Sequence, residues 1–130
     1  MRSIEETFPL PLKGEFVGRS QWKLTHPFRY VNPPVDLEVP TGFTTDGASI
    51  PKIAYPLIGS PWGGRYAKAA VPHDYRYYTQ TIPRRKADKQ FIDGMTILGV
   101  PWWKKRLMYR VVRLGGWICW RIRGRRRKLR

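Results

Sequence analysis

The apolar positions of this chain change their period along its length. From Glu15 to Val39 they follow an extended rhythm: Phe16-Val17, Trp22, Leu24, Phe28, Tyr30, then Val35, Leu37 and Val39 alternating with polar residues. Alternation puts successive side chains on opposite faces, so this segment predicts strands with one buried face. Asn32-Pro33-Pro34 reads as the turn between two of them, and Thr41-Gly42 and Asp46-Gly47 break the pattern. Beyond Gly64 the spacing becomes helical. A first helix is predicted from near Gly64 through Tyr66, Ala69 and Ala70 towards Tyr77, with Pro72 either kinking it or opening a fresh first turn. A second starts at Pro83, carries Ala87, Phe91, Met95 and Leu98 at helical spacing, and stops at Gly99. A third starts near Pro101. Its core stripe is predicted as Leu107, Val111, Leu114 and Ile118, with Lys105, Arg106, Arg110 and Arg113 beside it and Gly115-Gly116 weakening its middle.

Strands first and helices after them is the order of an α+β fold. The expected architecture is a small antiparallel sheet of three or four strands in the N-terminal half, followed by about three helices. Residues 1–14 read as an extended arm, 15–120 as a single domain and 121–130 as a basic tail, with an irregular Pro- and Gly-rich connector over 51–64. At 130 residues the chain has one domain's length, and its 42% hydrophobic content is enough for a packed core. The first residues lack the apolar core of a signal peptide, and no run of 18 apolar residues predicts a membrane-spanning helix. Cys119 is the chain's one cysteine, which excludes an internal disulfide and a cysteine-based metal site. Within Trp117-Ile118-Cys119-Trp120 it reads as a packed small hydrophobe.

Charge changes the picture. The net charge is +16, and residues 94–130 hold 12 of the 25 Lys and Arg with no acid among them. A polyanionic partner is the natural inference: nucleic acid, an anionic membrane surface, or an acidic neighbouring protein. The candidate binding residues are Arg121, Arg123, Arg125, Arg126, Arg127, Lys128 and Arg130. Like charges this dense repel one another, so the segment is predicted to be mobile until a polyanion holds it. The bland alternative is a solvated tail. Trp102, Trp103, Trp117 and Trp120 lie among these cations, a mixture that suits a membrane interface, a nucleic-acid surface or a docking helix.

Candidate chemistry sits where acids are sparse. Asp46, His73, Asp74 and Asp88 are the candidate catalytic centre. Asp46, followed by glycine, is either a turn former bonded to local amides or a functional carboxylate, and Ser49 before Ile50-Pro51 suits a helix cap. Adjacent His and Asp can ligate one metal, as in HD-type phosphohydrolases, but that pattern needs an upstream histidine on a helix and His26 falls among the strands. A histidine oriented by Asp46 or Asp88 could instead serve acid–base chemistry. The structural alternative is a buried His–Asp–Arg network, with Arg84, Arg85 and Thr45 as partners. Of the tyrosines that follow, Tyr75 and Tyr78 share a helix face and Tyr77 points elsewhere. They read as core packing or as a stacking platform. No cofactor or metal is assigned by the sequence.

The run Thr41-Gly42-Phe43-Thr44-Thr45-Asp46-Gly47-Ala48-Ser49-Ile50-Pro51, the His73-Asp74-Tyr75 triplet, the Arg85-x-Ala87-Asp88-x-x-Phe91 pattern, Met95 and Leu98-Gly99-Val100-Pro101 resemble the DUF1353 family over roughly Val35 to Gly116. The resemblance implies a bacteriophage or prophage origin and implies no reaction. It departs at Pro72, where an aliphatic residue is expected. Charge and resemblance together point to a phage accessory or virion-associated binding protein, anchored through its basic C-terminal helix to other phage structural proteins or nucleic acid. It would reside in the virion or the host cytoplasm. The alternative is a small phage hydrolase, acting on the cell envelope or a phosphoester through the Asp/His/Asp centre.

Overall fold

The computed structural model of the chain describes residues 2–18, 21–45 and 67–128, the last three of these by backbone alone. Asp46, Ser49, the 51–64 connector, the predicted start of the first long helix and Arg130 lie outside the described residues. The elements run α1 (Ile4–Thr7), β1 (Gly14–Phe16), β2 (Trp22–Leu24), β3 (Phe28–Asn32), β4 (Val35–Val39), β5 (Thr44–Thr45), α2 (Ala67–Thr79), α3 (Arg84–Ile97) and α4 (Trp102–Lys128). Strands precede the long helices, and the class is α+β.

The described strands form two antiparallel units. β1, β2 and β5 pair in the order β1-β2-β5, and β3 pairs with β4 as a hairpin. The Asn32–Val35 turn closes that hairpin, with a cis bond between Pro33 and Pro34. Its register sets Phe28 opposite Val39 and Tyr30 opposite Leu37, all buried. The alternation read from Val35 to Val39 therefore delivers one apolar face to the core. On the outer face Arg29 makes a bidentate pair with Asp36, Nε to Oδ1 at 2.9 Å and Nη2 to Oδ2 at 2.6 Å. Gly42, at φ 91°, takes the turn into β5 in a left-handed conformation that L side chains disfavour.

The first fourteen residues are not an extended arm throughout. Ser3 and Glu6 form a reciprocal capping box that starts α1. The turn delivers Phe8 into the core, where its ring stacks on Phe28 at 5.9 Å and tilts against Tyr30 at 5.5 Å. An arm whose tip carries a buried aromatic is held down, and the prolines at positions 9 and 11 follow the turn instead of preventing it.

Helix α2 keeps Pro72 within it. It ends at Gln80, which takes φ 53° and donates from Nε2 to the Trp120 carbonyl at 2.6 Å. Tyr75 and Tyr78 share one face and meet Phe43 at 5.1 and 5.8 Å, while Tyr77 is fully buried on another side. Helix α3 follows Pro83, which sits at the N-cap, one position before the first helical residue. It buries Ala87, Phe91 and Met95, and Gly99 at φ 78° ends it. The amides of Gly99 and Val100 then bond the carbonyls of Thr96 and Met95, both at 3.1 Å, a Schellman closure.

Helix α4 differs from the reading in two ways. It runs without a break across Gly115-Gly116 to Lys128, so residues 121–128 are helix and not a separate tail. It also turns a different face inward. Met108, Val112 and Gly116 are buried, whereas Leu114 is 79% exposed and Ile118 49% exposed. Counting apolar bulk selected Leu114 and Ile118 for the core. The helix instead buries the side that carries Met108, Val112 and Gly116, and Gly116 lets polar groups of α2 and α3 approach its backbone.

A Cβ on Gly116 would lie 2.5 Å from the Tyr77 hydroxyl and 3.2 Å from Arg84 Nη1, whereas one on Gly115 would meet nothing within 4 Å. Neighbouring glycines thus make opposite predictions. Gly116→Ala is expected to cost about 1–3 kcal/mol through overpacking. Gly115→Ala is expected to gain up to about 1 kcal/mol from helix propensity. Denaturant unfolding of the two variants checks the pair, and equal effects would refute this seating of α4.

Candidate functional site

The side chain of Asp88, in the second turn of α3, is fully buried, and a buried carboxylate must be satisfied by donors. Four donors converge on it. His73 Nε2 from α2 lies 2.8 Å from Oδ1, and the Tyr77 hydroxyl, one turn along the same helix, donates to Oδ1 at 2.7 Å. Arg113 of α4 donates to Oδ2 at 2.7 Å, and Arg84, one turn earlier on α3, donates to Oδ2 at 3.3 Å. Arg84 also donates to the Val112 and Arg113 carbonyls at 3.0 and 3.3 Å, so its guanidinium bridges α3 to the backbone of α4. One carboxylate therefore ties together α2, α3 and α4.

The electrostatics follow from this packing. Burial pushes the Asp88 carboxyl up, but the bonds and charge of His73, then the bonds of Tyr77 and Arg113, outweigh burial and hold it below its usual range. The ionised carboxylate only accepts, so His73 Nε2–H and Tyr77 O–H both donate. Burial, then the bond to Asp88, raises the Tyr77 phenol well above its ordinary range and keeps it protonated. His73 is 2% exposed, with its ring 4.5 Å from both Phe91 and Tyr77.

His73 and Asp74 are neighbours in sequence and diverge in space, as adjacent positions on a helix must. His73 meets Asp88 on α3. Asp74 meets Arg123 on α4, Oδ1 to Nη2 at 2.6 Å, with both side chains largely buried. The doublet is therefore not gathered into one pair of ligands, and among the described residues no group of three His, Cys, Asp or Glu side chains could hold a metal ion.

Of the candidate centre, the structure joins His73 to Asp88 and sends Asp74 elsewhere; Asp46 lies outside the described residues. Arg84 joins as anticipated, Arg85 is exposed, and Tyr77 and Arg113 were missed. Arg123, expected in the basic tail, is paired with Asp74 instead. A signal for this existed: Arg113, Gly116, Trp120 and Arg123 recur at helical spacing and form the inner seam of α4. Trp120 stands edge-on to Tyr77 at 5.1 Å in that seam.

The opposite side of α4 is a second candidate region. Leu114, Trp117, Ile118 and Ile122 are exposed there, among exposed Arg110, Arg121 and Arg125. The Arg121 guanidinium lies 5.8 Å from the Trp117 ring centre, and Trp117, Ile118, Arg121, Ile122 and Arg125 line a shallow groove. The side chains of Arg126, Arg127 and Lys128, although on the same helix, lie outside the described residues.

Comparison with known proteins agrees with the motifs. The DUF1353 family, described as "Protein of unknown function", matches residues 22–112, and the chain belongs to that family. Two proteins of Sinorhizobium fredii (strain NBRC 101917 / NGR234) are similar. One, the uncharacterized protein y4jT, is 37% identical over 107 residues, 79% of this chain and 32% of that protein. The other, the uncharacterized protein y4iH, is 37% identical over 68 residues, 52% of this chain and 28% of that protein. The chain spans about a third of the length of the curated relatives it matches. No solved structure matches.

Removing the shared acceptor leaves buried donors without a partner, so Asp88→Ala is expected to cost about 3–5 kcal/mol. His73→Ala removes one donor and is expected to cost about 1–3 kcal/mol. The folded Asp88 carboxyl is lowered, so its contribution is complete above the unfolded carboxylate range near about 4 and is lost as pH falls through the lower folded value. Urea unfolding from pH 7 down to pH 3 should show this loss in the native chain and a shallower one in Asp88→Asn. Parallel pH dependences would remove Asp88 from the account.

Proposed function

We propose that this chain acts by binding: it is an attachment protein, in the bacteriophage setting that the family resemblance implies, held to a polyanionic neighbour through the outward side of α4. The observation that carries the reading is a division of labour among its polar groups. His73 and Asp88, the pair best suited to acid–base chemistry, are buried and joined to each other, to Tyr77 and to two arginines that bridge helices. Arg110, Arg121 and Arg125 lie on the exposed side of the same α4 whose inner side carries Arg113 and Arg123. A surface this cationic attracts anions at long range and docks them with steep dependence on salt.

The test is a comparison of the full chain with Arg110→Gln/Arg121→Gln/Arg125→Gln. Binding to duplex DNA and to phosphatidylglycerol-containing vesicles is titrated at low and moderate salt. The native chain is expected to bind at least one of these polyanions, more weakly as salt rises. The variant is expected to melt at an unchanged temperature and to bind about tenfold or more weakly. Absence of binding to both polyanions, or equal affinity of the two proteins, would overturn the proposal.

A further inference from the structure

Resting on that attachment reading, we infer that the polyanion is the surface of an anionic lipid bilayer, with α4 lying in the plane of the interface. Charge alone does not choose among polyanions; the apolar side chains set between the charges do. Leu114 is 79% exposed, Trp117 47%, Ile118 49% and Ile122 45%. Leu114, Ile118 and Ile122 recur every four residues and Trp117 lies three from Leu114, so they form one contiguous band along the helix. Trp103, 50% exposed, stands three turns before Leu114 and extends the stripe towards the start of the helix. Exposed Arg110, Arg121 and Arg125 share this side. Large apolar side chains gathered on a surface mark something that covers them.

Three kinds of cover make different demands. A nucleic acid would satisfy the arginines through its phosphates and leave Leu114, Ile118 and Ile122 in water. A second copy of the chain would cover the apolar stripe, but residues 102–128 contain no acid, so two such faces would press arginine against arginine. An anionic bilayer satisfies both. Leucine, isoleucine and tryptophan enter the boundary between headgroups and acyl chains, and arginine stems extend outward to put guanidinium groups among the phosphates. Each cation near an anionic leaflet adds attraction of its own. The geometry permits it, because α2 and α3 pack on the opposite side of α4, at Met108, Val112 and Gly116, and would stand away from the lipid. No helix of the described residues is long and apolar enough to cross a membrane, and lying flat does not require one.

The experiment uses the full chain, Trp117→Ser/Ile118→Ser/Ile122→Ser, duplex DNA, and vesicles of phosphatidylcholine with or without phosphatidylglycerol. The three positions are exposed, so melting temperature should hold. The native chain is expected to co-sediment with the mixed vesicles and not with pure phosphatidylcholine, and its tryptophan emission should move to the blue on binding. The triple variant is expected to lose vesicle affinity about tenfold or more while its DNA affinity stays the same. Equal vesicle binding by both proteins would reduce the contact to charge alone and overturn the inference. Binding to DNA with none to vesicles would overturn it while leaving attachment to a polyanion standing, and binding to neither would remove both. Dimerisation of the native chain that the triple variant abolishes, seen by sedimentation velocity, would also overturn it in favour of a second copy.

Discussion

A carboxylate with no access to water carries a solvation penalty of several kcal/mol unless donors replace the lost water. Asp88 is that group, and donors from α2, α3 and α4 meet at its two oxygens. Much else follows from satisfying it. Tyr77 must lie inward, so Tyr75 and Tyr78 face Phe43. Arg84 must reach across to α4, and Gly116 must be small where Tyr77 and Arg84 arrive. Apolar packing of Ala87, Phe91, Met95, Met108 and Val112 provides most of the attraction among these helices, but it is tolerant of rotation and sliding. The directional bonds to Asp88 are not, and they select one rotational setting of α4.

That setting decides which of the chain's cations remain available. Arg113 and Arg123 turn inward to buried acids; Arg110, Arg121 and Arg125 turn out. The uneven charge seen in the sequence is therefore a mixture of two populations. One stabilises the body and the other lies on its surface. The Asp74–Arg123 pair and the Gln80 bond to the Trp120 carbonyl anchor the later turns of α4 to the end of α2, well past the point where its apolar core positions stop.

The order of strands before helices, the Asn32–Val35 turn, the Pro83 and Gly99 boundaries and the helical class of the second half were legible because each depends on local patterning and turn chemistry, whereas the pairing of β5 with β2 and the division into two units depend on contacts that no local pattern shows. The His73–Asp88 pairing was legible only as one of several options, since a sequence separation of 15 conceals their proximity until α2 and α3 pack. Three features were hidden for physical reasons. The N-terminal turn is fixed by Ser3 and Glu6, a short motif masked by the prolines that follow. The inner face of α4 is marked by glycine and arginine, which a search for apolar bulk passes over. Arg123 looked like one of a row of equivalent tail cations, and only the position of Asp74 sets it apart. The family match ends at Val112, so most of this pairing face lies beyond it.

The unbroken course of α4 has a thermodynamic consequence. A flexible basic segment loses its backbone freedom at the moment it docks, at roughly 1–2 kcal/mol for each residue ordered. Residues 121–128 are already helical in the isolated chain, so that loss belongs to folding and not to association. Whatever surface receives this helix meets an array of fixed geometry, with a rise of about 1.5 Å from one residue to the next. Such an array discriminates by shape as well as charge: a flat or gently curved partner can engage the whole row, whereas a flexible strand must itself be straightened to match it.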